Sequence, residues 1–396
     1  MRGVGSWLQR FAVTVHGGEG QRRRRSALAR PPVRRVWRAV LTSAVLLGPL
    51  VVEYTPTAAS PRQAHHTVSY GVGVTRCTFV DPTRGVLNYA TRPPSPLSSV
   101  RTLVTEIRYP TLQPSAGLVE TPGAVPASVA GGLPMIVFAH GYDVMPDTYA
   151  PLLDAWVRAG FVVAAPIFPD ENRLAVARQY PANTENDIWN EPADLAFVAS
   201  QLVIASAVVT ANCRAVHGLI NANELALAGH SDGATAVAML AYARGLDRQG
   251  VTYQSLRVPL DFRAAAVMSG QEDGVDPYTP LPPDPALLVI QSARDQCNRA
   301  SNAVKLYRDL HQSNKWFLEL LTAHHLPPFD GVDQSAFGVV AQTSTRFFQI
   351  ALAGAYPRST LVTLGAQDPA VARMVYDGRG PTIAPPSVPT GPCGPN

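Results

Sequence analysis

The chain has 396 residues, 46% of them hydrophobic, and a formal net charge of +4. That apolar content excludes a wholly disordered chain and suffices for a large core. Residues 1–60 hold ten arginines against Glu19 and Glu53, a net of +8, so the remainder carries about −4 and a nucleic-acid-binding body loses its electrostatic basis.

Residues 1–60 have the order of an export signal. A basic stretch ends in Arg34-Arg35-Val36-Trp37-Arg38, an uncharged apolar run covers 39–52, and Thr57-Ala58-Ala59-Ser60 offers small residues to a signal peptidase. The run is shorter than the roughly 20 residues that a membrane-spanning helix needs. The expectation is a secreted or cell-wall-associated protein, cleaved near residue 60; the alternative is a membrane anchor formed by uncleaved residues 39–52.

Past the leader, residues 73–80 and 103–109 are β-rich and flank a loop with Pro93, Pro94 and Pro96, which predicts an antiparallel ribbon. Residues 110–133 are rich in Pro, Ala and Gly without periodicity and read as an exposed insertion. Residues 134–139 form a continuous apolar run of the kind buried on both faces of a parallel sheet. From there strands and helices alternate: helix 151–158, strand 161–166, helix 193–205, strand 224–229, helix 231–244, strands 264–268 and 286–291, helix 299–311, strand 316–321 and a closing helix near 336–352. This alternation predicts an α/β fold with one mostly parallel central sheet and helices on both faces, as a single domain over 69–378. The Pro-rich tail, 379–396, is expected to be disordered.

Cys77, Cys213, Cys297 and Cys393 are an even number in a chain expected to be exported, so one or two disulfides are anticipated. Their spacing fits neither a zinc site nor a redox pair, and sequence does not choose among the pairings. Cys297 is either bridged or a buried free thiol.

The most informative segment is Gly229-His230-Ser231-Asp232-Gly233, between an apolar run and the small, helix-compatible residues 234–240. Strand, sharp turn and helix around G-x-S-x-G describe a nucleophile elbow, in which glycines avoid collision with neighbouring backbone. Ser231 is the candidate nucleophile. A serine hydroxyl needs a base and a group to orient that base, and in this architecture the acid and then the histidine follow, each just past a strand. Asp295 stands immediately after the strand at 286–291, ahead of its rivals Asp273, Asp276 and Asp284; His324 and His325 stand just beyond the strand at 316–321. Oxyanion donors are expected from the backbone amides of Asp232 and of Tyr142, which follows His140 and the flexible Gly141. His140 and His230 read as packing and hydrogen-bonding residues. Loops 142–148, 168–191 and 270–284, with Trp189 and Tyr180, are candidates for the pocket wall.

These residues resemble the α/β-hydrolase superfamily, and within it the branch of platelet-activating-factor acetylhydrolase-like, dienelactone-hydrolase-like and cutinase-like enzymes. The resemblance covers residues 69–354 and rests on Val137-Phe138-Ala139-His140-Gly141-Tyr142, Gly160-Phe161-Val162-Val163, the Ser231 pentapeptide, Asp295 and His325. It is supported by Gly71-Val72-Gly73-Val74, Asp81-Pro82-Thr83-Arg84 and Glu106-Ile107-Arg108-Tyr109-Pro110. The segment Thr322-Ala323-His324-His325-Leu326-Pro327 is similar to a Gly-Ala-x-His-x-x-Pro pattern in these hydrolases, whose histidine matches His325. Ala234 and Thr322 depart from glycines in many relatives, and Ser231 replaces the cysteine nucleophile of true dienelactone hydrolases.

The resemblance implies a secreted serine esterase, acetylhydrolase or lipase-like enzyme that acts on small-molecule or lipid esters. Such an enzyme needs no metal or organic cofactor and no nucleic-acid partner, and makes at most transient contact with a membrane or cell-wall surface. An acyltransferase with the same triad and a non-catalytic binding protein on a hydrolase scaffold are the alternatives.

Overall fold

The computed structural model describes residues 69–112, 120–180, 185–204, 213, 216, 218–243, 245, 252–270, 285–310 and 314–376. The leader with its apolar run, the tail, Cys393, Pro181, Asp273, Asp276 and Asp284 lie outside these residues. Among the described residues, no helix is long and apolar enough to cross a membrane.

The described chain opens with β1 (Gly71–Asp81), a small hairpin of β2 (Val86–Asn88) and β3 (Ser95–Ser98), and β4 (Arg101–Thr111). β1 and β4 pair antiparallel from Gly71 opposite Thr111 to Asp81 opposite Arg101, the ribbon expected from their β-branched residues. The intervening Pro-rich stretch differs from a plain loop, because β2 and β3 pair within it as a separate sheet. Residues 110–133 also differ from a wholly exposed insertion. β5 (Glu120–Pro122) lies parallel to β1 at the sheet edge, and buried Ala127 donates its amide to the Pro110 carbonyl. A three-residue edge strand ending in proline has no period to detect.

The alternating region supplies β6 (Leu133–Ala139), α1 (Ala150–Arg158), β7 (Val162–Pro166), α2 (Arg173–Gln179), α3 (Glu191–Val203), β8 (Ile220–His230) and α4 (Asp232–Tyr242). It continues with α5 (Tyr253–Leu256), β9 (Phe262–Met268), β10 (Ala286–Ser292), α6 (Ala300–Asp309), β11 (Lys315–Leu320), α7 (Pro327–Asp330), α8 (Gln334–Phe348), α9 (Ser359–Gly365) and β12 (Ala372–Tyr376). Ten strands join in one sheet, in the order β12-β11-β10-β9-β8-β6-β7-β4-β1-β5. From β7 to β11 every neighbouring pair is parallel, and β4 and β12 run against them.

Alternate residues of each central strand serve opposite faces. Met135, Val137, Leu225, Leu227, Leu287 and Val289 pack with α3, α4 and α6, whereas Ile136, Phe138, Ala226, Ala228, Leu288 and Ile290 pack with α1 and α8. Both faces being dry explains why these strands read as unbroken apolar runs. The parallel strands also bring their carboxyl ends to one edge, where ligands of open α/β sheets bind.

Two further features brace the end of the sheet near β1. Arg101, fully buried, bonds Asp187 and Asp194 at 2.6 and 2.7 Å, and Arg84 bonds Asp81 at 2.7 Å and Asp194 at 2.8 Å. Cys77 on β1 is bridged to Cys213, 136 residues on. Cys297 is also disulfide-bonded, which settles its state against the free thiol.

Candidate active site

β8 ends at His230, and Ser231 makes the turn into α4 with φ 57° and ψ −125°. A non-glycine residue at positive φ is held there only where its surroundings impose it. Here Ser231 donates its amide to the Met268 carbonyl at 3.0 Å, and its own carbonyl accepts the amides of Ala234 and Thr235. The flanking glycines have no room for a side chain: a Cβ on Gly229 would meet the Gly233 carbonyl, and one on Gly233 the carbonyls of Ala139 and His140. Every residue of α4 from Gly233 onward is buried, so the elbow stands on a helix held inside the molecule.

Asp295 follows β10 and His325 follows β11; His325 reaches Ser231, and Asp295 reaches His325. His325 Nε2 lies 2.9 Å from Ser231 Oγ, and His325 Nδ1 lies 2.9 Å from Asp295 Oδ2. Asp295 is itself fixed. Its Oδ1 accepts the amides of Cys297 and Asn298 at 2.8 Å each, and its Oδ2 accepts Gln291 Nε2 at 3.2 Å. Asn298 Nδ2 then donates to the Ser269 carbonyl at 2.6 Å, tying this turn to the end of β9. His324 points elsewhere: it is exposed, with Nδ1 3.3 Å from Gln296 Oε1.

The loop after β6 runs against the elbow, and a Cβ on Gly141 would come within 2.9 Å of Ser231 Cβ. This places the 140–142 segment, whose Tyr142 amide is a candidate oxyanion donor, beside Ser231. His140 holds the loop from one side: its Nδ1 donates to the Gly141 carbonyl at 2.8 Å, and its Nε2 accepts the Phe168 amide at 3.0 Å. Burial lowers the His140 pKa to about 4, so the ring stays neutral in this arrangement. Asp143, also at positive φ, donates its amide to the Glu171 carbonyl at 2.9 Å.

Sequence reasoning did not anticipate two groups around the site. Gln291 and Ser292 form the polar end of the otherwise apolar, wholly buried β10, and that buried polarity was the available signal. Glu171 and Glu191 are fully buried against one another near Asp232; burial foremost raises both well above the usual carboxylate range, and the charge of Asp232 adds to it. Nothing in the sequence marks those two as buried. Of the residues expected at the pocket wall, Trp189 is half-buried against the core and Tyr180 is exposed.

Asp295, Cys297 and His325 place an oxygen, a sulfur and a ring nitrogen within 4.8 Å of one another. Cys297 is in a disulfide, so this sulfur is not the thiolate that a soft metal would take. The cluster is better described as an acid, its bracing turn and a histidine.

Comparison with solved structures finds similarity to a ferulic acid esterase from Streptomyces cinnamoneus, 17% identical, with a TM-score of 0.52, over 76% of this chain and 94% of that one. The fold is that of the α/β-hydrolases. No protein-family profile and no curated protein matches the sequence.

Proposed function

We propose that this protein is a serine hydrolase of carboxylic esters that works through an acyl-enzyme on Ser231. The carrying observation is the unbroken path Ser231 Oγ, His325 Nε2, His325 Nδ1, Asp295 Oδ2, with 2.9 Å at each of its two hydrogen-bonded steps. His325 takes the proton from Ser231 as the oxygen attacks the ester carbonyl, and Asp295 holds the ring tautomer that leaves Nε2 free to accept it. The amides of Tyr142 and Asp232 stabilise the oxyanion; the alcohol leaves with the proton from His325, and water repeats the sequence to release the acid. No metal or organic cofactor enters these steps.

The likeness to a ferulic acid esterase fits an ester substrate, and the order of the leader together with two bonded cysteine sites fits an exported enzyme. Small-molecule or lipid esters are the substrates assigned by this reading. Hydrolysis of 4-nitrophenyl esters from acetyl to palmitoyl by the purified protein and by Ser231→Ala tests it. A loss of at least about a thousandfold in the variant is expected, and the chain-length profile separates acetylhydrolase-like from lipase-like use. Equal rates in both proteins, or none in either, would overturn the reading.

A further inference from the structure

Three hydrogen bonds link the loop after β6 to the loop that carries His325, and all pass through side chains outside the Ser231–His325–Asp295 path. The Gly141 amide lies 3.2 Å from Tyr149 Oη, Tyr149 Oη lies 2.8 Å from His230 Nδ1, and His230 Nε2 lies 3.0 Å from the His325 carbonyl oxygen. Resting on the esterase reading above, we infer that Tyr149 and His230 are positioning residues that hold the oxyanion loop and the backbone of His325 at one fixed spacing around Ser231.

The chemistry of the groups allows the chain one direction. The His325 carbonyl can only accept, so His230 Nε2 carries the hydrogen. Burial drives the His230 pKa well below its ordinary value, so the ring is neutral and Nδ1 is bare. Tyr149 must therefore donate its hydroxyl hydrogen to Nδ1, and its oxygen is left to accept the Gly141 N–H. No member can rotate or change tautomer without leaving a buried polar group unpaired.

Packing gives the relay little slack. The His230 ring lies between those of His325 and Phe329, each 4.6 Å away by centroid, and Tyr149 packs edge-on against Phe138 at 4.9 Å. Tyr149 and His230 are 0% and 1% exposed, so water does not substitute for a missing partner. Tyr149 ends the 3-10 turn Pro146–Tyr149 that directly precedes α1, which fixes its ring from the helix side. Thus the residue next to the nucleophile in sequence joins both halves of the machinery that the nucleophile uses.

Oxyanion donors act on charge that exists only in the transition state, so a shift of the 140–142 loop lowers kcat and leaves KM nearly unchanged. A residue needed only for folding would lower the active fraction without changing how the active molecules bind a tetrahedral adduct. The test compares wild type, Tyr149→Phe and Ser231→Ala on 4-nitrophenyl butyrate, with Ki for an alkylboronic acid, which adds to a serine oxygen as a tetrahedral anion. Tyr149→Phe is expected to lose about 10- to 100-fold in kcat with KM within about twofold, and to weaken boronate binding in parallel. If Tyr149→Phe does not fold, His230→Gln, which keeps an N–H donor for the His325 carbonyl but lacks the ring acceptor for Tyr149, is expected to show the same split.

Wild-type kcat and Ki in a folded variant, with wild type active and Ser231→Ala inactive, would overturn the relay and leave the esterase reading standing. A loss that appears wholly in KM would do the same. No turnover by wild type would overturn both.

Discussion

At Ser231 the backbone and the chemistry make the same demand. The hydroxyl is lifted off the sheet only because residue 231 is held at positive φ, and that turn closes only because residues 229 and 233 lack Cβ atoms. Gly233→Ala would drive a methyl group into the carbonyls of Ala139 and His140, at the end of the strand that leads to the 140–142 loop. We expect a loss of ~2 kcal/mol or more in stability, measured by denaturant unfolding, since backbone rather than a flexible side chain must give way. An unchanged midpoint would show that the elbow has more room than its geometry implies.

The same glycines made Ser231 conspicuous in the sequence, because the turn cannot be built from other residues. Asp295 and the pair His324-His325 were legible through position, since each follows an apolar run and in a parallel sheet the ends of such runs converge; the choice of His325 came from the resemblance. Tyr149 and His230 could not be paired from the sequence. They lie 81 residues apart, and a tyrosine or histidine that bonds across such a gap looks the same in sequence as one that merely packs.

At the scale of elements, α3 begins beside the site with a buried acid, Glu191, facing Glu171 in the segment before α2. The four carboxyl oxygens of this pair are buried without a hydrogen-bond partner among the described residues, so burial disfavours the charged forms and the protons are retained. An acid whose folded pKa is raised keeps a proton that the unfolded chain gives up above about pH 4.5, so its stabilisation is complete below that pH and is lost as the pH rises toward the folded value. Asp170 adds to this slope up to about pH 7, where burial and then Asp187 place its pKa. The buried His140 and His230 act in the opposite sense, but only below about pH 6.5, where unfolded histidines become protonated. Above about pH 6.5, where the histidines no longer contribute, the wild-type Tm should fall as pH rises, and Glu191→Gln should fall less steeply. Parallel curves in thermal unfolding would rule out a retained proton.

Legibility of the elements followed their burial. β6, β8, β10 and β11 stood out because both faces of the sheet are covered, whereas α2, with seven residues, and β12, with five, are too short to show a period. β12 also depends on β11 for its pairing, so its strand conformation comes from a tertiary contact that no local pattern records.

Across the whole molecule, the link between Cys77 and Cys213 closes a segment of 136 residues. A closure of that length removes unfolded-chain entropy worth ~2–5 kcal/mol. The double variant Cys77→Ser, Cys213→Ser should lose stability in that range while its folded molecules keep their kcat, because β1 lies four strands from β8 in the sheet, roughly 19 Å at the usual strand spacing. A collapse of kcat in the folded double variant would show that the bridge reaches the site.

That bridge also divides the site: Tyr142, Tyr149, Glu171 and Glu191 belong to the covalent ring it closes, whereas Ser231, Asp295 and His325 lie in the chain beyond Cys213. A single protease cut anywhere between the two cysteines opens the ring without releasing a fragment. A chain nicked there migrates as one species until a reductant is added, and after a cut between residues 142 and 213 the 140–142 loop stays tethered to Ser231 only while the sulfurs remain joined.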